Sequence, residues 1–260
     1  MKKITFNLHF TDFCNFKCKH CFVNKQGKEL SLNNIKIIID KIASYSKENN
    51  IESRINLAGG EPLVSKNIQF IIDYIYSKGI EVSIITNGLA LSKDFIEQNK
   101  SKVSMIGISV DSLHYQTNFQ IGRHLYNKTL LENELVEKCL FIKSNGIKLK
   151  INTCVMSLNK NEDLHNFFEK VNPDRIKILR VFCEHDENLN YLLISDKEWH
   201  DIQLKYSDLK VVFEDNDYMR DSYLIIDSEG NLSKNNLHLN NNSLLSKSVD
   251  DCLDALKQVN

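Results

Sequence analysis

Six β-like stretches alternating with five helical ones constrain this chain more than any other feature of its sequence. The β-like stretches are residues 4–10, 54–58, 81–86, 103–110, 148–155 and 175–182, each carrying β-branched or aromatic residues. Helical spacing appears at 31–48, 65–78, 92–98, 129–144 and 161–170, and several of these begin at a capping residue, as at Ser31 and Ser65. Gly79 and Gly146 stand where a helix should stop before the next strand. Such repeats need right-handed crossovers, which makes the strands parallel members of one sheet. Six units are fewer than a closed barrel requires. The predicted fold class is therefore α/β, a partial (β/α)6 TIM-like barrel with a C-terminal extension. The barrel is expected over residues 1–183. Residues 184–260 are expected to pack on it as part of one structural unit, with a helix at 196–206, short strands at 209–213 and 222–227, and an Asn-, Ser- and Leu-rich loop at 228–246.

Composition narrows the class of partner. Acids and bases nearly cancel to a net charge of -1, so there is no global basic field of the kind that marks a nucleic-acid binder. A small anion needs only a few local cations. No apolar run is long enough to span a bilayer, and residues 1–6 run straight into a strand pattern, which predicts neither a signal peptide nor a membrane anchor. The cysteines number seven, and three crowd together. An odd, clustered set argues for thiolate-bound metal in a reducing cytoplasm rather than a disulfide framework.

The crowded cysteines are Cys14, Cys18 and Cys21, in Thr11-Asp12-Phe13-Cys14-Asn15-Phe16-Lys17-Cys18-Lys19-His20-Cys21-Phe22. The segment follows the first strand, so it is a βα loop, the part of such folds that forms the active face. Three thiolates at this spacing can wrap one cuboidal iron–sulfur cluster, each on a different iron, with one iron left open. A structural zinc site needs a fourth ligand, for which only His20 is near. A C-x-x-C redox pair would leave Cys14 unexplained. Gly59-Gly60-Glu61-Pro62 directly follows the second strand, where two glycines let the backbone approach a ligand closely.

The cysteine loop and this GGEP segment together resemble the radical S-adenosylmethionine (SAM) superfamily. The resemblance implies a [4Fe–4S] cluster on Cys14, Cys18 and Cys21, with SAM on the open iron. It further implies that Gly59, Gly60, Glu61 and Pro62 meet the amino group of SAM, that Asn87, Ser109 and Asn152 line its site from three strand ends, and that His20 stands beside the adenine. Residues 7–11, 108–112, 117–118, 121–123, 150–152, 172–177 and 214–227 carry strings that, in this order, are similar to the viperin family, including its prokaryotic members.

That second resemblance implies conversion of a ribonucleoside triphosphate to its 3′-deoxy-3′,4′-didehydro form, an antiviral, chain-terminating nucleotide, by abstraction of the ribose 4′ hydrogen. An electron donor of flavodoxin or ferredoxin type and the iron–sulfur assembly machinery are implied as partners, and neither nucleic acid nor membrane. Arg54, Lys150, Arg175 and Lys177 are expected to cradle the triphosphate. Strand alternation would put Lys150 and Lys177 inside the barrel, where an unpaired Lys is costly. Asn7 and Asn216 are further substrate-binding candidates. Tyr223, near the ribose, and Lys247, in the tail, are candidates for the proton that departs with the 3′-hydroxyl. The extension would cover the nucleotide site. A radical SAM enzyme acting on another small anion, such as a pterin in deazapurine synthesis, and a cluster-bearing sensor without turnover are the alternatives.

Overall fold

A computed structural model describes residues 3–23, 25–182, 187–215, 223–234 and 241–258. Strand β1 (Lys3–Thr11) and helix α1 (Leu32–Glu48) begin a run that continues β2 (Glu52–Gly59), α2 (Ile68–Ser77), β3 (Glu81–Thr86), α3 (Lys93–Asn99), β4 (Val103–Ser109), α4 (Tyr115–Ile121), α5 (Glu132–Ser144), β5 (Lys148–Val155), α6 (His165–Val171) and β6 (Arg175–Arg180). The rest of the chain supplies α7 (Asp196–Lys205), β7 (Val211–Glu214), β8 (Leu224–Ile226), β9 (Leu232–Lys234) and α8 (Val249–Lys257).

The sheet runs β7-β6-β5-β4-β3-β2-β1-β8-β9. All neighbouring pairs are parallel except β8 with β9. It is open, as expected for a partial barrel. The extension is built into this sheet at both edges: β7 pairs with β6, and β8 pairs with β1. Residues 228–246, expected as loop, also supply β9, whose Leu232 is fully buried.

Alternation along each strand separates two faces. Phe6, Leu8 and Phe10 of β1 and Ile55 and Leu57 of β2 are fully buried in one core with Ile35, Ile38, Ile39 and Ile42 of α1 and Ile71, Ile72 and Ile75 of α2. Each such side chain contributes roughly 1.5–3 kcal/mol by leaving water. The opposite, inner face is polar. There Ser83 donates to Asn56 Oδ1 (2.8 Å), Asn56 to Asn7 Oδ1 (2.8 Å), and Asn7 to the Leu224 carbonyl (3.2 Å). That relay ties β3, β2, β1 and β8 together, so Asn7 is occupied as a strand tie.

Helix starts differ from the sequence expectation where the cap was misplaced. Ser31 caps α1, its hydroxyl accepting from Asn34 N (3.2 Å). Ser65 instead accepts from Asn67 N (3.1 Å) and donates to Glu29 (2.9 Å), and α2 starts only at Ile68. Helix α5 starts at Glu132 rather than Thr129, with Glu134 accepting from Leu131 N (3.0 Å). Helix α6 starts at His165 rather than Asn161. No helix among the described residues is long and apolar enough to cross a membrane.

Candidate active site

Strand β1 delivers the cysteine loop to the carboxyl edge of the sheet, where open α/β sheets bind ligands. The loop is folded by its own polar groups. Buried Asp12 accepts from Gln26 N (3.0 Å) and Lys28 N (2.7 Å), drawing the far end of the loop back to β1. Lys25 donates to the Phe16 carbonyl (2.8 Å), and Phe16 is buried beneath. Cys14, Cys18 and Cys21 are all half-buried free thiols. Burial pushes the Cys18 thiol up to about 12, opposed by the charge of Arg123 and reinforced by Asp111, Cys21 and Cys14. Burial likewise raises Cys14.

Three thiols close enough to repel one another as anions suit a polynuclear iron centre, whose positive charge offsets that repulsion and whose irons each take one thiolate. Among the described residues no three His, Cys, Asp or Glu side chains form a group that could hold a single metal ion.

The GGEP segment has a first task that its spacing did not reveal. Gly60 N donates to Thr11 O (2.8 Å) and Glu61 N to Phe13 O (2.7 Å). A Cβ on Gly60 would run into the Phe13 carbonyl, and one on Gly59 would lie 2.6 Å from Thr11 O. The glycines thus admit the backbone of the cysteine loop itself. Glu61 is buried and turned inward, accepting from Leu63 N (3.1 Å), Thr86 Oγ1 (2.6 Å) and Asn87 N (2.7 Å). Its carboxyl is raised by burial and lowered by those bonds. It clamps the end of β2 to the end of β3, and buried Pro62 begins a short 3₁₀ turn behind it. Asn87 donates to Asn15 Oδ1 (2.7 Å), inside the cysteine loop.

Ser109 and Asn152 are register partners on β4 and β5, and Lys177 on β6 is the next partner of Asn152. The row puts the expected SAM-lining residues beside an expected phosphate contact. Asn152 Oδ1 is buried without a hydrogen-bond partner, an acceptor of the kind a bound ligand satisfies. Arg123, quoted in a sequence string but given no role there, lies beside the cysteines. It donates to Ser109 O (2.7 Å) and to Asp111 (3.0 Å), and it lines a small cleft with Phe16, Asn87, Ser109, Ser112 and Asn118. His20 is packed onto that pair, its Nε2 3.4 Å from Asp111 Oδ2 and its Nδ1 buried without a partner.

Lys150, Arg175, Lys177 and Arg54 form a group of cations, with Glu214 beside Lys177 and Glu81 beside Arg54. Burial holds Lys150 down to about 7, and the positive charges of Lys177, Arg175 and Arg54 act with burial, while Glu214 opposes it. Lys177 is only 4 % exposed and donates to both Glu214 and Tyr223. Tyr223 in turn donates to Glu214, and its phenol is raised far above its usual range by burial and by that carboxylate. Glu214, absent from the sequence expectation as a site residue, is thus the buried counter-ion of the group. Arg54 is paired with Glu81, which also takes Lys3.

Two tail candidates fare differently. Lys247 is not brought to this group: its carbonyl accepts from Lys41 of α1 (2.7 Å), and its charge acts on Asp251 and Cys252 of α8. It belongs to the outer helical layer, because Ser243–Lys247 turns into α8 and packs against α1. Asn216 lies outside the described residues.

Lys150 supplies a pH-dependent expectation. An anion bound at this group favours the ammonium form, so its binding raises the Lys150 pKa and takes up a proton. Affinity is then greatest below about 7 and falls by up to tenfold per pH unit above it. Binding titrations from neutral to alkaline pH check this, and Lys150→Gln should flatten that limb.

A three-cysteine βα loop at the carboxyl edge of an open parallel sheet, seated on a GGEP turn, is the arrangement of a radical SAM enzyme. The family model of the Radical SAM superfamily matches residues 8–171, and the chain belongs to that superfamily. A solved structure, native anSMEcpe with bound AdoMet, shares the fold at a TM-score of 0.72 and 11% identity, over 96% of this chain and 80% of that one. Within the superfamily the chain belongs to the S-adenosylmethionine-dependent nucleotide dehydratases. It is 32% identical to the one from Flammeovirga pacifica over 248 residues, 88% of this chain and 81% of that protein. It is 31% identical to the one from Thermoplasmatales archaeon (strain ISO4-H5) over 86% of this chain and 80% of the relative. The S-adenosylmethionine-dependent nucleotide dehydratase RSAD2 of Oncorhynchus mykiss is 30% identical over 85% of this chain and 66% of its own length.

Proposed function

We propose that this chain holds a [4Fe–4S] cluster on Cys14, Cys18 and Cys21 and dehydrates a ribonucleoside triphosphate to its 3′-deoxy-3′,4′-didehydro form. That product lacks a 3′-hydroxyl and so ends a growing RNA chain, which suits an antiviral role. The observation that carries the reading is the adjacency of Ser109, Asn152 and Lys177 across β4, β5 and β6. That row supports a substrate anion held on the inner face of the sheet beside the expected SAM-lining residues.

When bound, the cluster and SAM supply hydrogen-atom abstraction; the protein supplies placement. Lys150, Lys177 and Arg175 meet the phosphates, with Arg54 adding longer-range charge from its pair with Glu81. Anchoring there leaves the ribose between this group and Asn152, with its 4′ hydrogen toward the SAM face. The sugar loses a hydrogen atom from C4′ and hydroxide from C3′; the hydroxide takes a proton, and the sugar takes one electron that originates from an external one-electron donor of flavodoxin or ferredoxin type, leaving the 3′,4′ double bond. Tyr223 is the proton donor the geometry favours. Its phenol stays protonated, and Lys177 beside it stabilises the phenolate left behind. Lys247 has no part in this step.

Substrate deuterated at C4′ should deliver one deuterium into 5′-deoxyadenosine, read by mass spectrometry, and substrate deuterated at C2′ should deliver none. Deuterium arriving from another sugar carbon, or 5′-deoxyadenosine forming equally fast without nucleotide, defeats the dehydratase chemistry while leaving SAM cleavage in place.

A further inference from the structure

Residues 13–28 and 112–131 contain no Asp or Glu, in a chain where acids number 34 of 260 and slightly outnumber Lys and Arg. The two segments meet. Lys17 N donates to Gly122 O (3.2 Å), Lys19 N donates to Ile121 O (2.9 Å), and the Arg123 guanidinium lies 5.8 Å from the centre of the Phe16 ring. Lys17, Lys19, Lys25 and Lys128 are exposed on the resulting face. So are five aromatic residues, Phe13, Phe22, Tyr115, Phe119 and Tyr126. Phe119 stacks between Tyr115 (6.1 Å) and His124 (4.2 Å). Tyr126 is 85% exposed at the tip of a turn closed by reciprocal Leu125–Lys128 hydrogen bonds of 2.8 Å. The face is bounded by the Lys28–Glu229 pair and by the 3₁₀ turn Glu187–Leu192, whose Tyr191 lies under Lys19.

None of these side chains serves the proposed dehydration. Outward aromatics and lysines without interspersed acids have the composition of a recognition surface for an acidic partner. The nucleotide is a poor occupant: its phosphates are met inside the sheet by Lys150 and Lys177, and outward-facing rings offer them nothing. The face surrounds the cysteine loop, and electron transfer falls steeply with distance, so a donor of electrons seated on it stands close to the thiolates.

We propose that this face docks a small acidic one-electron carrier protein. The carrier's reduced flavin or iron–sulfur centre gives one electron to the cluster on Cys14, Cys18 and Cys21. The carrier is oxidised by one electron, the cluster is reduced by one, and no bond forms between the proteins. The inference rests on the cluster assignment made under Proposed function.

The test places acids where the parent has none. Gln116 and Gln120 are exposed on α4, and Lys128 is exposed beyond it. The triple variant Gln116→Glu, Gln120→Glu, Lys128→Glu leaves the site residues untouched. With reduced acidic flavodoxin at limiting concentration, SAM cleavage by the variant holoenzyme is expected to slow about tenfold or more, and flavodoxin association measured by interferometry to weaken in parallel. Raising the ionic strength should slow the parent far more than the variant. With dithionite as reductant, parent and variant should turn over alike. Equal flavodoxin-driven rates and equal association in parent and variant overturn the proposal. An equal loss with dithionite, accompanied by a raised nucleotide KM, overturns it in favour of substrate steering. Absence of SAM cleavage in the parent with dithionite would count against the cluster assignment instead, and the association measurement would still decide the docking.

Discussion

Single replacement of Cys14, Cys18 or Cys21 by alanine is expected to leave the protein without iron and without SAM cleavage, while Cys139→Ala and Cys252→Ala keep both. The loop cysteines are half-buried and sit close enough to feel one another's charge. A cluster held by three thiolates has no spare protein ligand, so losing one leaves an iron open to solvent and the assembly labile. Cys139 and Cys252 are fully buried in the hydrophobic core, and burial pushes Cys139 up to about 12. They are protonated packing groups. Iron and sulfide analysis after anaerobic reconstitution, with visible absorbance, checks the contrast. Because the loop cysteines contribute little core, circular dichroism should be unchanged in their alanine variants. Full iron content in any of the three would refute the ligand set.

Lys177→Ala is expected to cost about 3–5 kcal/mol of folding stability, because it strands the buried Glu214 carboxylate without its cation. Tyr223 still donates to that carboxylate, but a phenol does not neutralise a charge. The double variant Lys177→Met, Glu214→Leu removes both charges, and urea denaturation should show most of the stability restored. Nucleotide binding should not return with it. Loss of one charge-assisted hydrogen bond to phosphate weakens affinity about 10- to 100-fold. If the double variant binds triphosphate as well as the parent, Lys177 acts only as a structural partner of Glu214. If Lys177→Ala is as stable as the parent, the pair is not the buried contact described.

What the sequence made legible was periodic. Alternation placed Phe6, Leu8 and Phe10 on one face of β1, and it placed Lys150 and Lys177 on the inner face of their strands, where the structure has them. Gly79 and Gly146 adopt φ of +70° and +75° just past α2 and α5, as their positions between helix and strand predict. Seven-residue α4 was missed because no capping residue marks its start at His114, whereas Ser92 marks the start of the equally short α3. Helix α8 was missed because it follows a long Asn-rich stretch, although Ser248 and Asp251 form its capping box. Within the site, spacing identified the cysteines but not what the glycines beside them accommodate. A Cβ clash with the backbone carbonyl of Thr11 or Phe13, 48 and 47 residues earlier in the chain, leaves no local mark. Glu214 and Arg123 were quoted within strings, yet their partnerships with Lys177 and Asp111 join separate elements. Lys247 matches a tail position in sequence, while in the structure its surroundings are those of the outer layer.

Because β8 lies against β1 while β7 lies against β6, the order of synthesis matters to this fold. The cysteines leave the ribosome long before the strand that flanks β1. Until residues 224–226 emerge, β1 keeps an unpaired edge next to three free thiols, the kind of edge that invites a wrong neighbour. The Asn7 side chain likewise lacks its Leu224 acceptor until then. The edge beside the cysteine loop is thus covered only when residues 224–226 have been made.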